Sequence, residues 1–296
     1  MARKLTIVVT CTNRKSVAPP AQHQVRNLSA DGVDARATAW SQILSASSDR
    51  RHLRCLYQGE AWQQVARLEA AVHAKGIVPQ LVVASAGLGL RRIDSEGPSY
   101  SATFSGGHPD TVGRGHGEIQ AWWRHVSRTP DADPPEQVWR GPTLLVLSSA
   151  YTAAMSEDLR ALGTRDDVVV FGGPPGLLGQ QRFPSDLGMR ARLGGTATSI
   201  NLRMAAAWIE RQETVNMRAE ATRREWLQWT AAIGCPPAPS FRETIDDKGL
   251  HHWISAMLQS QPRLSKTAAL RLLRDSGVAC EQRRFGEVFT LARRTT

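Results

Sequence analysis

Four short apolar runs constrain this chain more than anything else in it: Leu5-Thr6-Ile7-Val8-Val9-Thr10, Leu81-Val82-Val83-Ala84, Pro142-Thr143-Leu144-Leu145-Val146-Leu147 and Asp167-Val168-Val169-Val170-Phe171. They are continuous rather than alternating, as strands covered on both faces are. Helical spacing separates them. Trp40, Ile43 and Leu44 share a face of a helix over Ala35–Ala46, and Trp62, Val65, Leu68, Ala71 and Val72 recur in Gly59–Ala74. Further helices are expected over Gly117–Val126 and Thr152–Leu162, the second closed by Gly163. Strands alternating with helices predict an α/β fold: a Rossmann-like, mostly parallel sheet with helices on both faces. Leu53–Tyr57 reads as a short strand, Leu177–Gly195 as irregular, and a long helix is expected from Thr198 through Trp226 and Trp229 to Ile233.

All four runs end in small or hydroxyl residues: Thr12-Asn13, Ser85-Ala86-Gly87, Ser148-Ser149 and Gly172-Gly173. In parallel sheets ligands bind beyond the carboxyl ends of the strands, where strand order reverses. No GxGxxG follows the first strand and no GxxxxGK[ST] occurs, which argues against a dinucleotide enzyme and a P-loop NTPase. From Leu81 to Val112 the chain turns from strand to a long stretch without clean period, which predicts a functional loop over the sheet rim.

The C-terminal part differs. Cys235-Pro236-Pro237-Ala238-Pro239-Ser240 cannot continue a helix, so 235–240 reads as a linker between an α/β domain, 1–234, and a helical domain, 241–296. Leu250, Trp253, Ile254, Met257 and Leu258 mark one helix; Ser265 caps a second that stops at Gly277; Cys280–Ala292 gives a third. A three-helix unit of helix-turn-helix proportions results. From Arg263 to Arg294 it carries eight Arg/Lys against three acids. Lys266, Arg271, Arg274, Arg283 and Arg284 are its candidate DNA contacts, and the chain's net charge of +10 suits a polyanionic partner. The four cysteines form no CxxC pair, which argues against structural zinc and a disulfide framework. No apolar run approaches the roughly 20 residues of a membrane helix, and the N-terminus lacks a signal-peptide pattern. The expected setting is a reducing cytoplasm, with no membrane or protein partner.

Asp110 is the candidate catalytic carboxylate, with Asp94 and Glu118 as rivals. Cleaving an N-glycosidic bond requires stabilising an oxocarbenium-like carbon and activating a water, and one carboxylate can do both. Tyr100 and Phe104 are candidates to stack on a flipped base. Asn13, Ser85, Thr103 and Ser105 would hydrogen-bond base or sugar edges, and Thr12, Arg14 and Lys15 would hold phosphate. Gly87 allows close backbone approach, and Ser148 offers a hydroxyl at the third strand's end. His108, Asp110 and His116 match no familiar metal-ligand spacing, so neither metal nor cofactor is expected.

Ser85-Ala86-Gly87-Leu88-Gly89-Leu90, followed by Tyr100-Ser101-Ala102-Thr103-Phe104-Ser105, and the first-strand ending Cys11-Thr12-Asn13-Arg14-Lys15 resemble a bacterial family found in defence-associated loci. The chain is similar to antiphage DNA glycosylases that remove glucosylated hydroxymethylcytosine from T-even phage DNA and leave abasic sites. The resemblance spans about the first 200 residues. It transfers no catalytic residue; Asp110 rests on chemistry alone. No obvious Lys nucleophile sits near Asp110, so a monofunctional, water-using mechanism is expected over a Schiff base. Two other readings fit the residues: a hydrolase or transferase acting on a nucleoside or nucleotide sugar, and a non-enzymatic DNA-binding ligand sensor.

Overall fold

The computed structural model describes residues 3–174, 176, 181–218, 220–233, 243–262 and 264–295, apart from the side chains of residues 271, 275, 283 and 295. The chain divides into two compact units, Met1–Cys235 and Pro236–Thr296. The segment 235–240, read as a linker, lies outside the described residues.

The first unit runs β1 (Lys4–Thr10), α1 (Val33–Ser45), β2 (Arg50–His52), α2 (Leu53–Leu56), α3 (Glu60–Ala74), β3 (Val78–Ser85), β4 (Gly89–Arg92), β5 (Glu96–Pro98), α4 (His116–Val126), α5 (Pro135–Val138), β6 (Thr143–Leu147), α6 (Ser149–Ala154), α7 (Ser156–Ala161), β7 (Val168–Gly172), β8 (Arg182–Phe183), α8 (Arg190–Leu193), α9 (Ile200–Arg211) and α10 (Glu220–Ile233). Six strands form one sheet in the order β4-β3-β1-β6-β7-β8. All neighbours are parallel except β3 and β4. β6 and β7 are buried throughout and β1 along its middle, so apolar side chains cover both faces. α1 packs on α4, and α3 on α9. The chain builds the sheet outward from β1 to β3, then returns past β1 to β6. Strand order therefore reverses between β1 and β6.

Several local expectations change. Leu53–Leu56 is a helical turn, not a strand. Leu53 and Leu56 are both fully buried, and three-residue spacing puts them on one helical face. The stretch after Ala84 is not structureless. β4 folds back antiparallel on β3, with Ser85 opposite Gly89 and Val82 opposite Arg92, while β5 pairs with β2. Only Ala86, Gly87 and Leu88 remain in the turn, and Gly89 supplies its positive φ of 71°. The strand is hard to read because its pattern ends in Arg91-Arg92. The long helix after Thr198 is two helices. Beyond α9 Gln212 turns extended, its carbonyl taking the Lys75 amine and its amide oxygen the Asn216 N–H. Thr152–Leu162 likewise divides into α6 and α7, and the irregular stretch before α9 contains β8 and α8.

The second unit contains α11 (Asp247–Ser260), α12 (Lys266–Asp275) and α13 (Gln282–Thr295), with two-residue strands β9 (Glu243–Thr244) and β10 (Val278–Ala279) pairing in parallel. Leu250, Ile254, Leu258, Leu273, Phe285 and Phe289 form its own core. Asp246 and Ser265 cap α11 and α12 by accepting the N–H groups of Gly249 and Ala268. No described helix is long and apolar enough to cross a membrane.

Candidate active site at the carboxyl rim

The chain has three tyrosines, and all three converge at the carboxyl rim of β1, β3 and β6. Cys11, just past β1, places its Sγ 3.0 Å from the Tyr151 hydroxyl on α6. This contact spans the point where strand order reverses. The Tyr151 hydroxyl also accepts the Ala86 N–H at 3.1 Å. Ser85 Oγ accepts the N–H groups of Gly87 and Leu88. Both its lone pairs are thereby used, so its own proton is donated to the Tyr100 hydroxyl, 2.5 Å away. Tyr100 in turn lies 2.9 Å from the Tyr57 hydroxyl.

Lys15 completes the cluster. Its loop is fixed by backbone bonds from Ser16 to Leu56 and from Gln58 to Arg14. Its Nζ donates to the Thr12 carbonyl at 3.3 Å and stands 4.0 Å from the centre of the Tyr100 ring and 5.6 Å from that of Tyr57. Burial disfavours the ammonium and lowers the Lys15 pKa, with nearby Cys11 pulling weakly upward. Burial also raises the pKa values of Tyr57, Tyr100 and Tyr151, which stay protonated at neutral pH.

The residues singled out for stacking are differently placed. The Tyr100 ring has Gly87 against one part of it, where a Cβ would stand 2.4 Å from Cδ2, besides the Lys15 amine over its face and Trp40 at its edge. Phe104 packs edge-on against Tyr151 and Trp123. Both rings are core residues, 1% and 2% exposed, and neither presents a free face for a base.

Asp110 is also corrected. It is fully buried rather than open to a ligand. Arg26 grips it with its backbone N–H, Nε and Nη2, and Ser101 donates to Oδ2 at 2.7 Å. Burial works to raise its pKa, but the bonds from Arg26 and Ser101 together outweigh that and hold it below the ordinary carboxylate value. Asp110 is thus a satisfied carboxylate that organises its loop, which is closed by Thr103 N–H to the Asp110 carbonyl and Val112 N–H to the Thr103 carbonyl. The rival Asp94 pairs with Arg54, and Glu118 accepts the Arg114 N–H. His108 emerges from this loop. Its Nδ1 accepts the Asp110 N–H, which puts the ring proton of the neutral form on Nε2, where it faces Asn13 Nδ2 at 3.4 Å, donor against donor, so the two side chains are neighbours and not hydrogen-bonded in that form.

Arg14 and Ser105 are exposed, and Thr12 and Thr103 half-buried. Ser148 is exposed at the start of α6. Beside it, Asn201 closes the ends of β6 and β7 by bonding the Leu147 carbonyl, where Gly172 at φ 99° leaves room for it. The sites expected to contact substrate therefore separate into a cluster around Lys15, an Asn13–His108 pair, and Ser148, exposed at the end of β6. Sequence reasoning passed over Arg26, Tyr57 and Tyr151. The concentration of the chain's few tyrosines near strand ends is the signal that marks two of them.

In the second unit, Arg284 bonds Asp247 and the Ile245 carbonyl, and Arg274 bonds the Cys280 carbonyl. These two expected DNA contacts brace the unit itself. Lys266 is exposed, and the side chains of Arg271 and Arg283 lie outside those described. In comparisons with known proteins the chain matches no family profile, no curated protein and no solved structure.

Proposed function

We propose that the chain is a DNA glycosylase that hydrolyses the N-glycosidic bond of a modified cytosine, the glucosylated hydroxymethyl form, in phage DNA, leaving an abasic site as antiviral defence. One observation supports the reading: polar groups able to handle a sugar and a departing base gather at the carboxyl rim where strand order reverses, Cys11 against Tyr151 between β1 and α6, with Asn13 and His108 as neighbours. His108 Nε2–H is the group to donate to the departing base. Asp110 serves as its positioning residue, through the loop that Arg26 locks. The exposed Arg14 holds phosphate, and exposed Lys266, Arg293 and Arg294 of the second unit add backbone affinity. Unit two acts here as a helix-turn-helix-like binding module.

The test is incubation with glucosylated T-even phage DNA and with unmodified DNA, scored by an aldehyde-reactive probe. Abasic sites in the modified DNA alone are the expected result, reduced by His108→Gln. No abasic sites in either DNA refutes the proposal. A second reading, hydrolysis of a free nucleoside or nucleotide sugar, is favoured by the packing of Tyr100 and Phe104, which leaves neither of those two rings free for a flipped base. Turnover of free modified nucleoside but not of DNA selects it.

A further inference from the structure

We propose that a small cavity in the first unit, between α1, the β3–β4 turn and the segment 129–131, binds a compact apolar carboxylate whose charge pairs with the buried Arg91. The site is separate from the candidate active site, and the inference does not rest on the glycosylase reading.

The cavity measures about 260 Å³. Leu44 of α1, Leu88 of the turn, Pro98 of β5 and Pro130 give it an apolar lining, and Arg91 and Asp131 are its charged lining residues. A dry cavity of about 150 Å³ holds benzene, so this volume takes a single ring or a short acyl chain together with a carboxylate.

Arg91 is an unusual residue to line such a space. It is 6% exposed, and a guanidinium keeps its charge at any pH the protein meets. Consecutive strand residues leave opposite faces of β4, so Arg91 is buried while Arg92 is exposed. Arg91 Nη2 donates to the Glu96 carbonyl at 2.6 Å and Nε to Ser95 Oγ at 3.3 Å. Among the described residues its Nη1 has no hydrogen-bond partner. Asp131 Oδ2 lies 3.8 Å from Nη1, beyond hydrogen-bond reach, and takes Arg50 Nη2 at 2.7 Å instead. Two guanidiniums thus share one carboxylate, and the group keeps a net positive charge.

A buried charged donor without an acceptor is costly to leave unmade. A ligand carboxylate supplies both the missing acceptor and the missing charge, and its hydrocarbon part covers the apolar lining. A neutral ligand of the same shape supplies an acceptor alone, and a cation supplies neither. Asp131, its side chain 49% exposed, has room to turn toward water as the ligand enters.

The test is an NMR titration of the full chain with benzoate and with hexanoate, with benzamide and benzylamine as neutral and cationic counterparts of the first. Trp40 donates its indole N–H to the Gly87 carbonyl at 2.9 Å, and Gly87 lines the cavity. The Trp40 indole resonance, identified by its loss in Trp40→Phe, therefore reports occupancy. Saturable binding of a carboxylate is expected at roughly millimolar concentration or below. Benzamide should bind about tenfold more weakly than benzoate, and benzylamine should not bind. Arg91→Gln should weaken benzoate by roughly tenfold or more, and Arg92→Gln should leave it unchanged. Arg91→Gln also gives up the bond to Glu96, so Ser45→Phe provides a second variant. Ser45 is exposed on α1 and lines the cavity, where a ring is placed to fill it. Circular dichroism checks that each variant is folded, and a folded Ser45→Phe chain that no longer binds supports the inference. Absence of saturable shifts with either carboxylate, equal affinity for benzoate and benzamide, or binding that survives Ser45→Phe overturns it.

Discussion

Replacing Tyr100 by phenylalanine removes one oxygen atom from a buried line of three hydroxyls, Ser85, Tyr100 and Tyr57. Tyr100 is 1% exposed, and its hydroxyl lies 2.5 Å from Ser85 Oγ and 2.9 Å from the Tyr57 hydroxyl. Two neutral hydrogen bonds are worth about 1 kcal/mol each, and partners left unpaired out of reach of water add to that, so a loss of about 2–3 kcal/mol is expected. Tyr57→Phe removes one bond, about 1 kcal/mol. In the double variant the Tyr57–Tyr100 bond can be lost only once, so its cost should fall about 1 kcal/mol short of the sum. For a unit of this size the Tyr100→Phe loss corresponds to a fall in Tm of roughly 5–10 °C. The chain's nine tryptophans, among them Trp40 with its ring centre 6.3 Å from that of Tyr100, let fluorescence follow urea unfolding. Additivity within about 0.3 kcal/mol would refute the reasoning, because independent sites behave that way and sites sharing a hydrogen bond do not.

Other outcomes follow from the same geometry. Asp110→Asn should cost about 1–3 kcal/mol by weakening the Arg26 clamp. Because the folded pKa of Asp110 is lowered, the wild-type contribution is present above the ordinary carboxylate value and lost as pH falls through the folded value; acid unfolding curves of the two proteins should converge there. The Lys15 pKa is lowered too, so between its folded value and 10.5 the unfolded chain binds more protons, and stability should gain as pH rises through that window. Lys15→Gln should remove this gain in urea titrations kept below the tyrosine range, and an unchanged slope would count against burial of the amine. Gly89→Ala should lose at least about 2 kcal/mol, from a left-handed φ and a Cβ 2.4 Å from the rigid Val126 carbonyl. Gly117→Ala, on the exposed start of α4 with nothing within 4 Å, should be neutral or stabilising in the same melt.

What could be read from the sequence alone follows a simple division. The runs that became β1, β3, β6 and β7 were legible because a strand buried on both faces needs unbroken apolar residues, and α3 because its apolar residues recur on one helical face. These are local properties, fixed within one or two turns or a few strand residues. β4 escaped notice because half its residues are arginines, although pairing with β3 suffices to make it a strand. Asp110 reads as a free acid because nothing near it in the chain announces a partner. Arg26 lies 84 residues away, and the fold alone brings its guanidinium to the carboxylate. Likewise the tyrosines at 57, 100 and 151 share no local pattern; parallel strands ending at one rim bring them to Cys11 and Lys15. Charge and periodicity act along the chain. Whether a carboxylate is spent on an ion pair, or an amine is left without one, depends on topology, which joins residues the sequence keeps far apart.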